Sequence, residues 1–277
     1  MAHVRTAIST TLVAIALIAA PAASANRSGS SNWAGYAVHG TTFQQVSARW
    51  RQPRPACVRG KATYSAMWVG IGGFSITSNA LEQIGTELDC TVGGRVASSA
   101  WYELVPSPSH TLALRILPGD EVSARVAFGA SGVTMAIADL TSGRSFQRTF
   151  HPTIVDVSAA EWVLEAPSAC IQGTTFCRGL PLTDFGHATF TTARARGGAG
   201  TLGTISSGAW AHTRINLVPN GHQFATNHSG AVPFGTAQPS SLSPNGGTFS
   251  VTFRRVYVQP ATGFGHRLPR GPSYLRH

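Results

Sequence analysis

Two short segments carry side chains able to cleave an amide: Ala80-Leu81-Glu82-Gln83-Ile84-Gly85 and Ala159-Ala160-Glu161-Trp162-Val163-Leu164-Glu165. Glu165 offers a carboxyl that takes or gives a proton, and Gln83 an amide whose N–H can hold a developing oxyanion. Water-driven hydrolysis of a peptide bond needs those two functions and can proceed without a serine or cysteine nucleophile. Other hydrolase signatures are missing: there is no H-E-x-x-H, no G-x-S-x-G and no paired D-[ST]-G. None of the four cysteines has the context of a catalytic thiol, and the ten histidines lack ligand spacing. No metal or other cofactor is expected. Nothing singles out a serine triad through His110 or His212.

The few acids keep unusual company. Side chains two apart on a strand project together, so Trp101 shares a face with Glu103, Gln83 with Glu87, and Glu161 with Val163 and Glu165. Acids among Trp, Val and Leu are costly to bury unless paired, hydrogen-bonded or protonated, and such surroundings raise a carboxyl's pKa. The alternative is a solvated sheet face, the commoner place for a strand glutamate.

Period-two alternation dominates the elements that must position these groups. Val46, Ala48 and Trp50 alternate with polar residues; so do Leu112, Leu114 and Ile116, then Val122, Ala124, Val126 and Phe128. Val133, Met135 and Ile137 follow, and later Phe249, Val251 and Phe253. Gly, Pro, Asn and Ser clusters bound these runs, which predicts antiparallel strands in a two-sheet sandwich or barrel. No amphipathic helix is expected.

Residues 1–25 read as a secretory signal peptide: Arg5, an apolar run from Thr10 to Ala20, and Ala23-Ser24-Ala25 with A-x-A spacing. No stretch is long enough for a membrane span, and the protein is expected to be secreted. Asn26 to Ser31 is a polar lead-in, and residues 26–256 form one β domain. Residues 257–277, rich in Pro and Arg, are too poor in apolar side chains to pack and are expected to be disordered. In an exported chain the cysteines invite pairing; of three connectivities, Cys170–Cys177 with Cys57–Cys90 is favoured by spacing.

The formal net charge is +10, with 21 Lys and Arg against 11 Asp and Glu. All acids lie at or before Asp184, and the Arg-rich C-terminal part suggests weak association with anionic cell-wall polymers or surfaces. No basic run is interleaved with aromatics, which argues against nucleic acid. The protein is expected to be a monomer.

Asn32-Trp33-Ala34-Gly35, Trp68-Val69-Gly70-Ile71-Gly72-Gly73, Leu81-Glu82-Gln83-Ile84-Gly85, Ala100-Trp101-Tyr102-Glu103 and Ala160-Glu161-Trp162-Val163-Leu164-Glu165 occur in that order. From about Ser31 to Arg255 the chain resembles the eqolisin, or glutamic peptidase, family of secreted endopeptidases. That resemblance implies a β-sandwich of two bent antiparallel sheets, of concanavalin-like jelly-roll type, with a cleft for polypeptide substrates on one concave face. It implies that Glu165 is general base on water and then general acid to the leaving amine, while Gln83 stabilises the oxyanion. Trp33, Trp68 and Trp101 match aromatic positions of the cleft, and Glu103 and Glu87 match acids near the catalytic pair.

The chain departs from the fungal pattern at Gly72 and Ser99, where Asp is frequent, and at Val105, which replaces an aromatic. A lone carboxyl serving as acid and base works best near its own pKa, and an acidic optimum is expected. Two rivals stand beside this reading. One is a glycoside hydrolase using Glu103 and Glu165 as paired carboxylates. The other is a non-catalytic cell-wall or lectin-like binding module.

Overall fold

The computed structural model describes residues 26–171, 177–219, 221, 222, 224, 235–256 and 274–276, with the backbone alone at 170, 171, 177 and 274–276. The strands in chain order are β1 (Asn26–Ser30), β2 (Trp33–His39), β3 (Phe43–Arg51), β4 (Ala66–Gly72), β5 (Leu81–Cys90), β6 (Val96–Val105) and β7 (His110–Arg115). Next come β8 (Glu121–Gly129), β9 (Gly132–Asp139), β10 (Arg144–Phe150), β11 (Ala159–Glu165), β12 (Ser168–Ile171) and β13 (Cys177–Gly179). The last are β14 (His187–Gly197), β15 (Leu202–Gly203), β16 (Ala211–Leu217), β17 (Gly235–Pro239), β18 (Phe249–Arg255) and β19 (Tyr274–Arg276). Among the described residues no helix is long and apolar enough to cross a membrane.

The chain is an all-β sandwich. Its main sheet follows the order β10-β9-β8-β3-β14-β18-β17-β16-β2-β11-β4-β5-β6-β7. This ribbon doubles over so that β3, β8 and β9 pack against β4, β5 and β11. The two layers expected from the sequence are joined along one edge, where among the described residues β16 pairs with β17 through Leu217 and Ala237. Bonds across the sandwich fix the layers' positions: Trp50 Nε1 donates to Thr86 Oγ1 at 3.1 Å, and Trp162 Nε1 to the Ser47 carbonyl at 2.9 Å.

Alternation explains the outer strands. On β3, Val46, Ala48 and Trp50 point into the core while Arg49 and Arg51 are exposed; β8 and β9 follow the same rule. Nearly every residue of β2, β4, β5 and β11 is buried, because both faces of these strands are covered. One face meets the main core, including Tyr36, Val69, Ile84 and Trp162. The other carries a smaller cluster of Trp33, Trp68, Leu81, Trp101, Val163 and Phe224.

The polar lead-in is itself a strand: β1 pairs with β16 in parallel, Asn26 with Thr213 through Ser30 with Leu217. Cys57 and Cys90 form a disulfide, with Cα atoms 5.2 Å apart. Cys170 and Cys177 are register partners on β12 and β13; their side chains lie outside the described residues. So do the signal segment and the tail apart from β19, whose backbone pairs with β12.

Candidate active site

Register places the candidate residues in three rows across one face of the β2-β11-β4-β5-β6 layer. Glu161, Gly70, Gln83 and Glu103 form the first row. Val163, Trp68, Gly85 and Trp101 form the second. Trp33, Glu165, Ala66, Glu87 and Ser99 form the third. Neighbours across a sheet share a face, so every one of these positions looks away from the main core. Gln83 and Glu165 thus bracket the Trp68 row from opposite sides, two strands apart.

Two glycines make this packing possible. A Cβ on Gly85 would lie 2.1 Å from the Met67 carbonyl oxygen and 2.5 Å from Trp68 Cβ. On Gly70 it would meet Leu81 Cδ1 at 2.9 Å and Gln83 Cβ at 3.3 Å. The glycines of the Leu-x-Gln-x-Gly and Trp-Val-Gly blocks therefore let Trp68 and Gln83 close over the sheet.

Each member of the candidate pair is held by its own partners. Trp68 Nε1 donates to Glu165 Oε2 at 2.7 Å, and Asn32 Nδ2 to Glu165 Oε1 at 3.4 Å. Burial pushes the Glu165 carboxyl up to about 8; the Trp68 hydrogen bond lowers it, the Glu103 charge raises it, and bonds from Trp33 and Asn32 lower it. Gln83 Nε2 donates to Glu103 Oε2 at 2.5 Å, which leaves Gln83 Oε1 buried without a hydrogen-bond partner among the described residues. Trp101 Nε1 is likewise buried and unpartnered there. Glu87 lies two strands from Glu165 in the third row, and its Oε1 accepts from Ser99 Oγ at 2.6 Å.

The tryptophans sit within an aromatic train. Trp33 meets Trp68 edge-on at 5.0 Å and stacks on Phe224 at 5.0 Å; Phe224 stacks on Phe74, and Phe74 on His39. Trp33 and Trp68 are almost wholly buried, so in this structure they back the site and offer little open ring surface.

All seven sequence-nominated residues therefore lie on one face. Sequence reasoning passed over Asn32, Phe74 and Phe224. Asn32 opens the Asn-Trp-Ala-Gly block, and its short amide next to Trp33 is the available signal; Phe74 and Phe224 carry none. It also gave no place to two glutamates that are fully buried without hydrogen-bond partners among the described residues, Glu82 and Glu161. Glu161 shares the site face, and Glu82 points to the other.

Known proteins resemble this chain in sequence or in fold. Aspergillopepsin-2 of Aspergillus niger is 28% identical over 201 residues, covering 64% of this chain and 68% of that protein. Scytalido-glutamic peptidase, solved with a peptide-based transition state analog, superposes with a TM-score of 0.64 at 21% identity, covering 81% of this chain and 98% of that one. SCP-B, a member of the eqolisin family solved with the tripeptide Ala-Ile-His, gives a TM-score of 0.60 at 20% identity over the same shares. These two likenesses speak for the fold. The sequence model of the peptidase A4 family matches residues 31–231, a span that holds every candidate residue of the site. With that match over most of its length, the chain belongs to the peptidase A4 family, the eqolisins, and is a glutamic endopeptidase.

Proposed function

We propose that the chain is a secreted endopeptidase that hydrolyses peptide bonds with Gln83 and Glu165 as its catalytic pair. The observation that carries this reading is the division of partners. Glu165 Oε2 and Oε1 face the N–H donors of Trp68 and Asn32, which favour its ionised, basic form against the burial that raises it. Gln83 gives one amide hydrogen to Glu103, which fixes its orientation and leaves Oε1 and the second hydrogen for ligands. Water held by Gln83 Oε1 loses a proton to Glu165 as its oxygen adds to the substrate carbonyl carbon. The second Gln83 N–H donates to the oxyanion that forms. Glu165 then passes the proton to the leaving nitrogen, the C–N bond breaks, and the carboxylate is restored beside an acid and an amine.

Secretion is supported by the signal-like segment 1–25 and by the Cys57–Cys90 disulfide, which suits an oxidising compartment. Work on the acid side of pH 8 is supported by Glu82 and Glu161, whose neutral forms the fold favours. The glycosidase alternative gives Gln83 no task, although Gln83 has the shortest hydrogen bond of the site. The test is incubation of the mature protein with denatured casein and with polysaccharides, in the presence of pepstatin or a chelator. Cleavage of casein alone, resistant to both reagents, is expected. Cleavage of a polysaccharide, or retention on it without proteolysis, would favour the rival readings.

A further inference from the structure

We infer that Asn32 is a positioning residue for the reaction: its amide, locked by the segments on either side, delivers a fixed donor to Glu165. The inference rests on the reading of Glu165 as the catalytic carboxyl. Asn32 is 4% exposed and sits at the turn between β1 and β2. Its Oδ1 accepts from Ser30 Oγ at 2.8 Å and from the Phe224 backbone N–H at 3.3 Å. Two donors on one oxygen settle which way the amide faces, since an –NH₂ there could accept from neither. Nδ2 must then point the other way. Its two hydrogens go to the Phe224 carbonyl at 3.2 Å and to Glu165 Oε1 at 3.4 Å. Every hydrogen-bonding position of this side chain is used.

Ser30 supports the lock. Its Oγ, which donates to Asn32 Oδ1, also accepts from the backbone N–H groups of Asn32 and Trp33, at 3.1 and 2.9 Å. Ser30 in turn ends β1, whose parallel pairing to β16 anchors the turn. The chain of contacts runs from β1 through Ser30 to Asn32 and then to Glu165. An amide N–H is a donor only, so it favours the charged carboxylate over the acid form. Three acids share the face of Glu165: Glu103 on β6, whose charge raises it, Glu87 on β5 and Glu161 on its own strand. Among the described residues no arginine, lysine or histidine is among the causes that shift its carboxyl, and the neutral donors Trp68 and Asn32 face its two oxygens.

The test compares Asn32→Ala and Asn32→Asp across the pH–rate profile of peptide cleavage, with thermal midpoint and near-UV circular dichroism as checks on folding. Asn32→Ala removes the donor. Asn32→Asp keeps an oxygen for Ser30 and for the Phe224 N–H, but sets a second carboxyl beside Glu165. The rising limb of kcat/KM should move to higher pH in the order wild type, Asn32→Ala, Asn32→Asp. Each unit of displacement lowers the rate at a fixed pH below the limb about tenfold. The loss should fall on kcat with KM little changed. A role confined to holding the turn leaves the limb unmoved in both variants and places Asn32→Asp nearer than Asn32→Ala to wild type in rate and thermal midpoint; that result would overturn the inference. If Asn32→Ala does not fold, Asn32→Asp against wild type decides. A Glu165→Gln variant run alongside separates the two readings. If it is inert while the limb is unmoved in the Asn32 variants, the positioning role alone fails; if it is active, the catalytic assignment fails first.

Discussion

Glu103 accepts the Gln83 amide at 2.5 Å across the β5–β6 pair, so the side chain that turns the amide is also the charge that disfavours ionisation of Glu165. The two effects can be separated. Glu103→Gln removes the charge and leaves an oxygen to accept from Gln83, so the limb governed by Glu165 should move to lower pH. Glu103→Ala removes the acceptor as well and should lower kcat by about tenfold or more, on the scale of a lost charge-assisted hydrogen bond. The pH–rate profiles of both variants check this. Movement of the Glu103→Gln limb to higher pH would show that Glu103 does not act on Glu165 by its charge.

Trp68 joins the candidate carboxyl to the buried aromatic train. Trp68→Phe keeps most of the ring and loses the Nε1 donor at 2.7 Å from Glu165. The Glu165 carboxyl, already raised by burial, should rise further, and the rising limb should shift upward by about one unit. The thermal midpoint should fall only modestly, because most of the packed area survives. An unmoved limb with a lowered midpoint would assign Trp68 to packing alone.

Buried acids set the upper pH limit of the fold. Burial raises Glu82 to about 8, with the Asp156 charge as the second cause, and burial raises Glu161 well above its ordinary value, with Asp156 and Glu82 adding to it. Burial also pushes Asp156 up, but hydrogen bonds from Ser158, Ser78 and Gly73 outweigh it and hold Asp156 below its ordinary value. Between about 4.5, where an unfolded glutamate titrates, and about 8, the native state binds more protons than the unfolded chain. Stability is therefore full below that window and falls by several kcal/mol as pH rises through it. Thermal midpoints between pH 4 and 9 should decline across this range, and Glu82→Gln should flatten the decline. A midpoint that rises with pH there contradicts the assignment. The same trend opposes the growth of the Glu165 base form, so the activity maximum should lie below pH 8.

The Cys57–Cys90 bridge spans 33 residues and ties β5 to the loop before β4. Loop closure of that length stabilises by about 3–4 kcal/mol. The double variant Cys57→Ser/Cys90→Ser should lose about 10 °C in thermal midpoint by calorimetry. A change of a degree or two would show that the β5 pairings hold this loop without the bridge.

The outer layer was legible because its strands have one wet face: Val122, Ala124 and Val126 alternate with exposed or half-buried residues, and the structure keeps that phase. The inner layer was harder to read. On β2, β4 and β11 both faces are buried, and period-two counting cannot then say which neighbours a glutamate meets. The side-by-side placement of Gln83 and Glu103 followed only once the β5–β6 register was known. Asn32 and Phe224 are 192 residues apart, so their mutual bonds have no local signature. β1 was unreadable for another reason: its sequence is Asn-Arg-Ser-Gly-Ser, and backbone pairing to β16 makes it a strand without an apolar face.

In the proposed mechanism Glu165 moves the proton and Gln83 holds the oxyanion. Single-turnover cleavage of a quenched fluorescent peptide by wild type, Glu165→Gln and Gln83→Ala, each verified as folded, tests it most directly. Glu165→Gln should show no cleavage above background, and Gln83→Ala should lose about 10²–10³ in the chemical step, the typical cost of a missing oxyanion donor. Wild-type turnover by Glu165→Gln would contradict the account.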